Sequence, residues 1–84
     1  MPNFVTVAPK AQKFLDKLRD EKLYNRLMHS IAVLKINATP PNSKRLSGLY
    51  KAYRLRVGDY RITYVITPAE IIVGEIDHRK DIYR

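Results

Sequence analysis

The stretch Ala52-Tyr53-Arg54-Leu55-Arg56-Val57-Gly58-Asp59-Tyr60-Arg61-Ile62-Thr63-Tyr64-Val65-Ile66 decides the fold. Apolar residues recur at every second position on both sides of Gly58-Asp59, the period of a strand with one buried face. Gly58-Asp59 reads as a two-residue turn with glycine first, the order that a type II′ hairpin prefers. Pairing Val57 with Tyr60 across it sets Arg56 opposite Arg61 and Arg54 opposite Thr63 on one face. The other face carries Tyr53, Leu55, Val57, Tyr60, Ile62, Tyr64 and Ile66, and it needs a cover.

Downstream, Pro68-Ala69-Glu70 turns the chain into a third antiparallel strand, Ile71 to Asp77. Pairing Ile66 with Ile72 places Ile72 and Ile76 on the apolar face. Glu75, Asp77 and Arg79 then join the basic face, with Asp77 opposite Arg61. A shift of one residue would bury Glu75 and Asp77, so that register is rejected.

Upstream, the period changes to that of a helix. Ala11, Phe14, Leu15 and Leu18 follow the i, i+3, i+4, i+7 rule, with Pro9 suited to the first turn. Asp20-Glu21 interrupts the pattern and offers a cap, after which Leu23, Leu27, Ile31 and Leu34 mark a second stripe that ends near Asn37. Thr39-Pro40-Pro41-Asn42 cannot continue a helix. The expected fold is α+β: two N-terminal antiparallel helices packed on a curved, mainly antiparallel sheet. That sheet combines a short N-terminal strand, around Phe4 to Val7, with the three-strand C-terminal meander. Residues 1–84 form a single domain, since no linker parts them.

Charge narrows the partner. The 84 residues carry 16 Lys and Arg against 8 Asp and Glu, a net charge of +8 that points to a polyanion, most directly nucleic acid. Residues 44–64 hold Lys44, Arg45, Lys51, Arg54, Arg56 and Arg61 against Asp59 alone, the densest basic block in the chain. There is no cysteine, which excludes disulfides, thiolate chemistry and cysteine metal sites. His29 and His78 lack ligand-spaced partners, so neither a metal nor a cofactor is expected. No phosphate loop or nucleophile motif is present. No apolar run is long enough for a membrane span and no signal-peptide pattern opens the chain, so a cytoplasmic protein is expected. Tyr53, Tyr60 and Tyr64 fall on the apolar face as packing residues. Tyr83, after the basic His78-Arg79-Lys80, is placed to stack on a base or to aim its hydroxyl at a phosphate. Strand parity turns His78 toward the helices, although a twisted strand end would bring it into the basic site.

The run from Lys44 to Tyr64 closely resembles the central hairpin of toxins of the RelE/ParE superfamily. The ending His78-Arg79-Lys80-Asp81-Ile82-Tyr83-Arg84 resembles the C-terminal signature of the RelE branch. The resemblance implies the toxin of a type II toxin–antitoxin pair, a ribosome-dependent endoribonuclease that cleaves mRNA in the ribosomal A site. It also implies the chemistry: a ribose 2′-OH attacks the adjacent phosphate, leaving a 2′,3′-cyclic phosphate and a 5′-OH. By position, Arg54 and Arg56 correspond to sheet residues that hold phosphate and assist proton transfer. Arg61 corresponds to the arginine that stabilises transition-state charge, and Arg79 to the basic residue beside the scissile phosphate. Tyr83 corresponds to the terminal stacking tyrosine and His78 to an acid–base histidine of some branches. Lys44, Arg45, Lys51 and Lys80 extend the RNA-binding surface. A cognate acidic antitoxin is the implied protein partner.

Two departures from the family pattern matter. Arg54 and Arg56 stand where RelE has lysines, and arginine holds its proton too strongly to be a good general base. Activation of the 2′-OH therefore falls to His78, to Glu75, or to positioning and charge. Asp77 stands where many relatives have glycine; there it orients Arg61, raises the basicity of His78 or weakens phosphate binding. A ParE-like inhibitor of DNA gyrase without nuclease activity is the alternative reading, and an inactive relative that only binds antitoxin or nucleic acid is a third.

Overall fold

The computed structural model describes residues 3–46, 48 and 51–78. The element order is β1 (Val5–Val7), α1 (Pro9–Lys17), α2 (Glu21–Val33), β2 (Ser43–Arg45), β3 (Ala52–Val57), β4 (Tyr60–Ile66) and β5 (Ile71–His78). The strands form one five-stranded sheet in the order β1-β5-β4-β3-β2. Every neighbouring pair is antiparallel except β1 with β5, which is parallel.

Both helices begin where local chemistry allows. Pro9 opens α1, where its missing N–H costs nothing, and Ala8 offers no side-chain cap. Asp20 caps α2 by accepting a hydrogen bond from the Leu23 N–H at 3.1 Å, and Glu21 lies favourably at the positive end of the helix. The helix ends at Val33, short of the expected end near Asn37, yet Leu34 remains fully buried in the turn that follows.

Ala11 and Leu15 of α1 and Leu27 and Ile31 of α2 share one core cluster with Leu55, Val57, Ile62, Tyr64, Ile71, Val73 and Ile76 of the sheet. The helices therefore cover a single sheet face. Burying a leucine such as Leu27 contributes about 1.5–3 kcal/mol, so truncating these residues is the direct way to unfold so small a domain. The buried Tyr64 stacks on Tyr53 at 5.7 Å and donates its hydroxyl to the Ala38 carbonyl at 2.7 Å. Burial raises its pKa above the ordinary phenol value.

The first hairpin has the expected register: Val57 faces Tyr60, Arg56 faces Arg61 and Arg54 faces Thr63. Gly58 takes φ +59° and Asp59 does not take a positive φ, which fits the type II′ turn. The second hairpin departs from expectation. From Tyr60–His78 to Thr63–Glu75 the pairing is the expected one, but beyond Glu75 it slips by one, so that Tyr64 faces Val73 and Ile66 faces Ile71. Gly74 is the extra residue, a β-bulge. The slip corrects the pairing of Ile66 with Ile72: Ile71 and Val73 enter the core, while Ile72 is only half-buried. Both registers thus coexist in one strand, because the bulge keeps Glu75 and Asp77 out of the core while Ile71 and Val73 enter it.

A further strand, β2, was not expected. Ser43–Arg45 pairs with β3 so that Lys44 faces Arg54 and Arg45 faces Tyr53, which gives the sheet five strands rather than four.

Candidate functional site

Strand alternation builds the site on the sheet face opposite the helices. Cross-strand pairing arranges it in two rows. One row runs Lys44, Arg54, Thr63, Glu75 from β2 to β5; the other runs Arg56, Arg61, Asp77 from β3 to β5. The cations gather on β2, β3 and β4, and the carboxylates lie along β5. Lys44 and Arg56 are exposed, and Arg54 and Arg61 are half-buried. Arg54 Nε is buried with no hydrogen-bond partner among the described residues. A desolvated guanidinium nitrogen without an acceptor is costly, and an anion on this face would supply one.

Lys10, at the start of α1, contributes to the site from outside the hairpins. Its Nζ lies 2.8 Å from Glu75 Oε1. This bond holds the Glu75 carboxyl below the ordinary carboxylate range, with a further contribution from a hydrogen bond to Asp77. The same bond, together with the Glu75 charge, raises the pKa of Lys10. A carboxylate so stabilised is a weaker proton acceptor than a free one, which argues against Glu75 as general base. Nothing local in the sequence marks Lys10, since it is 65 positions from Glu75; the parallel pairing of β1 with β5 brings them together.

The remaining expected residues separate by face. Arg45 lies at the sheet edge with the parity of the helix-covered face, opposite Tyr53 and away from its neighbour Lys44. Lys51 immediately precedes β3, where its carbonyl accepts a hydrogen bond from Ile66 N–H at 2.9 Å. His78 follows its strand parity. Its ring meets Tyr60 edge-on at 4.7 Å, and Tyr60 in turn meets Phe14 of α1 at 5.9 Å. The end of β5 does not twist His78 round among the arginines. Arg79, Lys80 and Tyr83 lie outside the described residues. Among the described residues no cluster of His, Cys, Asp and Glu is suited to a metal ion, and no helix is long and apolar enough to cross a membrane.

A family model described as the ParE toxin of type II toxin–antitoxin systems, parDE, matches residues 5–83. The chain belongs to this family, within the RelE/ParE superfamily. It is 42% identical over 40 residues to the toxin RelE3 of Methanocaldococcus jannaschii, a match that covers 48% of this chain and 46% of that protein. The matched stretch thus spans about half the length of that curated relative. Among solved structures, the fold resembles the archaeal RelE–RelB complex of Pyrococcus horikoshii OT3. The TM-score is 0.83 at 24% identity, over 94% of this chain and 97% of that one. The RelB–RelE antitoxin–toxin complex of Methanococcus jannaschii gives a TM-score of 0.76 at 26% identity, over 93% and 94% of the two chains. Membership accounts for the two-helix, five-strand arrangement.

Proposed function

We propose that this chain is the toxin of a type II toxin–antitoxin pair and acts as a ribosome-dependent endoribonuclease on mRNA in the A site. The observation that carries the reading is the convergence of Lys44, Arg54, Arg56 and Arg61 in two rows on one sheet face. Two arginines directly opposed across strands cost stability, and a bound phosphate offsets that cost.

In the proposed reaction the 2′-oxygen attacks the adjacent phosphorus and the bond from phosphorus to the 5′-oxygen breaks. The products are a 2′,3′-cyclic phosphate and a 5′-OH, with one proton leaving the 2′-OH and one reaching the 5′-oxygen. The guanidinium groups of Arg56 and Arg61 stabilise the charge that develops on the phosphorane oxygens, and Arg54 and Lys44 hold the neighbouring backbone. Asp77, opposite Arg61, orients it. With Glu75 held by Lys10 and the His78 ring packed on Tyr60, positioning and charge carry the step more than a dedicated base does. Arg79, Lys80 and Tyr83 complete the RNA contact at the C-terminus. An acidic antitoxin is the cognate partner, and the cytoplasm is the site of action.

The ParE family model favours a second reading, inhibition of DNA gyrase with messages left intact. Expression without antitoxin, followed by primer extension on cellular messages, separates the two. The nuclease reading expects codon-linked cuts within translated regions, lost in Arg61→Ala and Arg79→Ala. Uncut messages with blocked supercoiling establish the gyrase reading; uncut messages with normal supercoiling establish an inactive relative.

A further inference from the structure

We infer that the groove between α2 and the β2–β3 edge is a second phosphate-binding site, which takes the backbone of single-stranded RNA as it leaves the sheet face. The inference rests on the reading of that face as an RNA surface and extends it to an adjoining groove that shares Arg56 with it.

The groove has a volume of about 400 Å³ and is lined in part by Arg26, His29 and Ser30 of α2, Asn42, Arg56 and Gly58. Among the described residues no acidic one lines it, whereas the sheet face has Glu75 and Asp77 along β5. Two arginines reach the β3–β4 turn. Arg56 Nε lies 3.4 Å from the Gly58 carbonyl oxygen. The Arg26 guanidinium rests over the same residue, 3.2 Å from the position a Cβ on Gly58 would take. Glycine at this turn therefore serves two needs: it adopts φ +59°, and it leaves room for Arg26. The Arg26 guanidinium, in a groove whose described lining holds no carboxylate, presents paired donors suited to phosphate oxygens.

Continuity links this groove to the proposed reaction site. Arg56 belongs to the cationic row of the sheet and also lines the groove. Asn42 fixes its backbone from the other side: Arg56 N–H donates to the Asn42 carbonyl at 3.1 Å, and Asn42 Nδ2 donates to the Arg56 carbonyl at 2.6 Å. Beyond His29 and Ser30 a second hollow of about 220 Å³ continues along α2 over Val33, Pro40 and Leu55. Cations at one end, neutral donors in the middle and an apolar floor beyond match a nucleotide, with its charged phosphate and flat, uncharged base.

The test measures equilibrium binding of the full chain to a non-cleavable 2′-O-methyl RNA oligonucleotide over a salt series. Wild type, Arg26→Gln, Arg26→Lys and Lys44→Gln are compared, and circular dichroism checks that each is folded. Losing one phosphate contact lowers the slope of log affinity against log salt by about 0.7 for a single strand. The inference expects that loss in Arg26→Gln as in Lys44→Gln, with Arg26→Lys retaining the slope. If Lys44→Gln loses the slope and Arg26→Gln keeps it, the inference is overturned and the function proposed for the sheet face stands. If neither variant changes the slope, both fall. Wild-type RNA binding by Arg26→Gln, with loss of affinity for an acidic peptide, assigns the groove to a protein partner and also overturns the inference.

Discussion

At the scale of single residues, the site is a set of charges held where the fold alone would not choose them. Arg56 and Arg61 face each other across β3 and β4, and like charges so placed destabilise a sheet by a few tenths to about 1 kcal/mol. Arg56→Gln is therefore expected to raise stability by that amount in urea unfolding while lowering cleavage, the exchange of stability for activity common at functional sites. A drop in stability would show that the pair is already compensated without ligand. Lys10 and Glu75 supply a second case. The Glu75 pKa is depressed in the folded protein, so its contribution to stability is complete above the ordinary carboxylate range and is lost as pH falls through the depressed value. Lys10→Met should shift the Glu75 titration upward when followed by carboxylate NMR, and should flatten the pH dependence of stability below about pH 5. An unmoved Glu75 titration would remove Lys10 from the account.

At the scale of elements, two glycines, one in the β3–β4 turn and one in β5, play different parts. Gly58 needs its positive φ and its missing side chain, so Gly58→Ala should cost about 1–2 kcal/mol and displace Arg26. Gly74 sits at the bulge without a positive φ, and a Cβ there would meet only the Thr63 carbonyl oxygen at 3.8 Å. Gly74→Ala should therefore be neutral or stabilising by up to about 1 kcal/mol through the unfolded chain. Thermal melts of both variants check the contrast; equal losses would contradict it. These elements also mark where the sequence was legible. The first hairpin could be read to the residue, because strict alternation on both sides of Gly58-Asp59 admits one register. The second could not, because Ile71-Ile72-Val73 is apolar throughout and a period of two cannot choose among such residues. β2 was hidden for the opposite reason: Ser43-Lys44-Arg45 has no apolar alternation, and only its pairing with β3 makes it a strand.

At the scale of the whole molecule, the fold gathers part of the +8 charge onto one sheet face. One sheet face is closed by helices and apolar; among the described residues the other carries four cations in two rows, with its carboxylates on β5. The four were partly legible in advance. Strand parity placed Arg54, Arg56 and Arg61 together, and Lys44 joined them only through β2. Parity also put His78 on the other face, whereas Arg45, read from the sequence as part of the RNA-binding surface, took that parity only through β2. Lys10 could not be found from sequence spacing, because its partner lies across a parallel pairing of distant segments. The central claim is that this cationic face promotes transfer of the phosphate to the 2′-oxygen within a translating ribosome. The most direct test adds purified chain to ribosomes programmed with a defined message and identifies the new 3′ ends chemically. Wild type is expected to leave 2′,3′-cyclic phosphate termini at A-site codons, and a folded Arg61→Ala variant to lose them. An intact message, or equal cleavage by that variant, would contradict the claim.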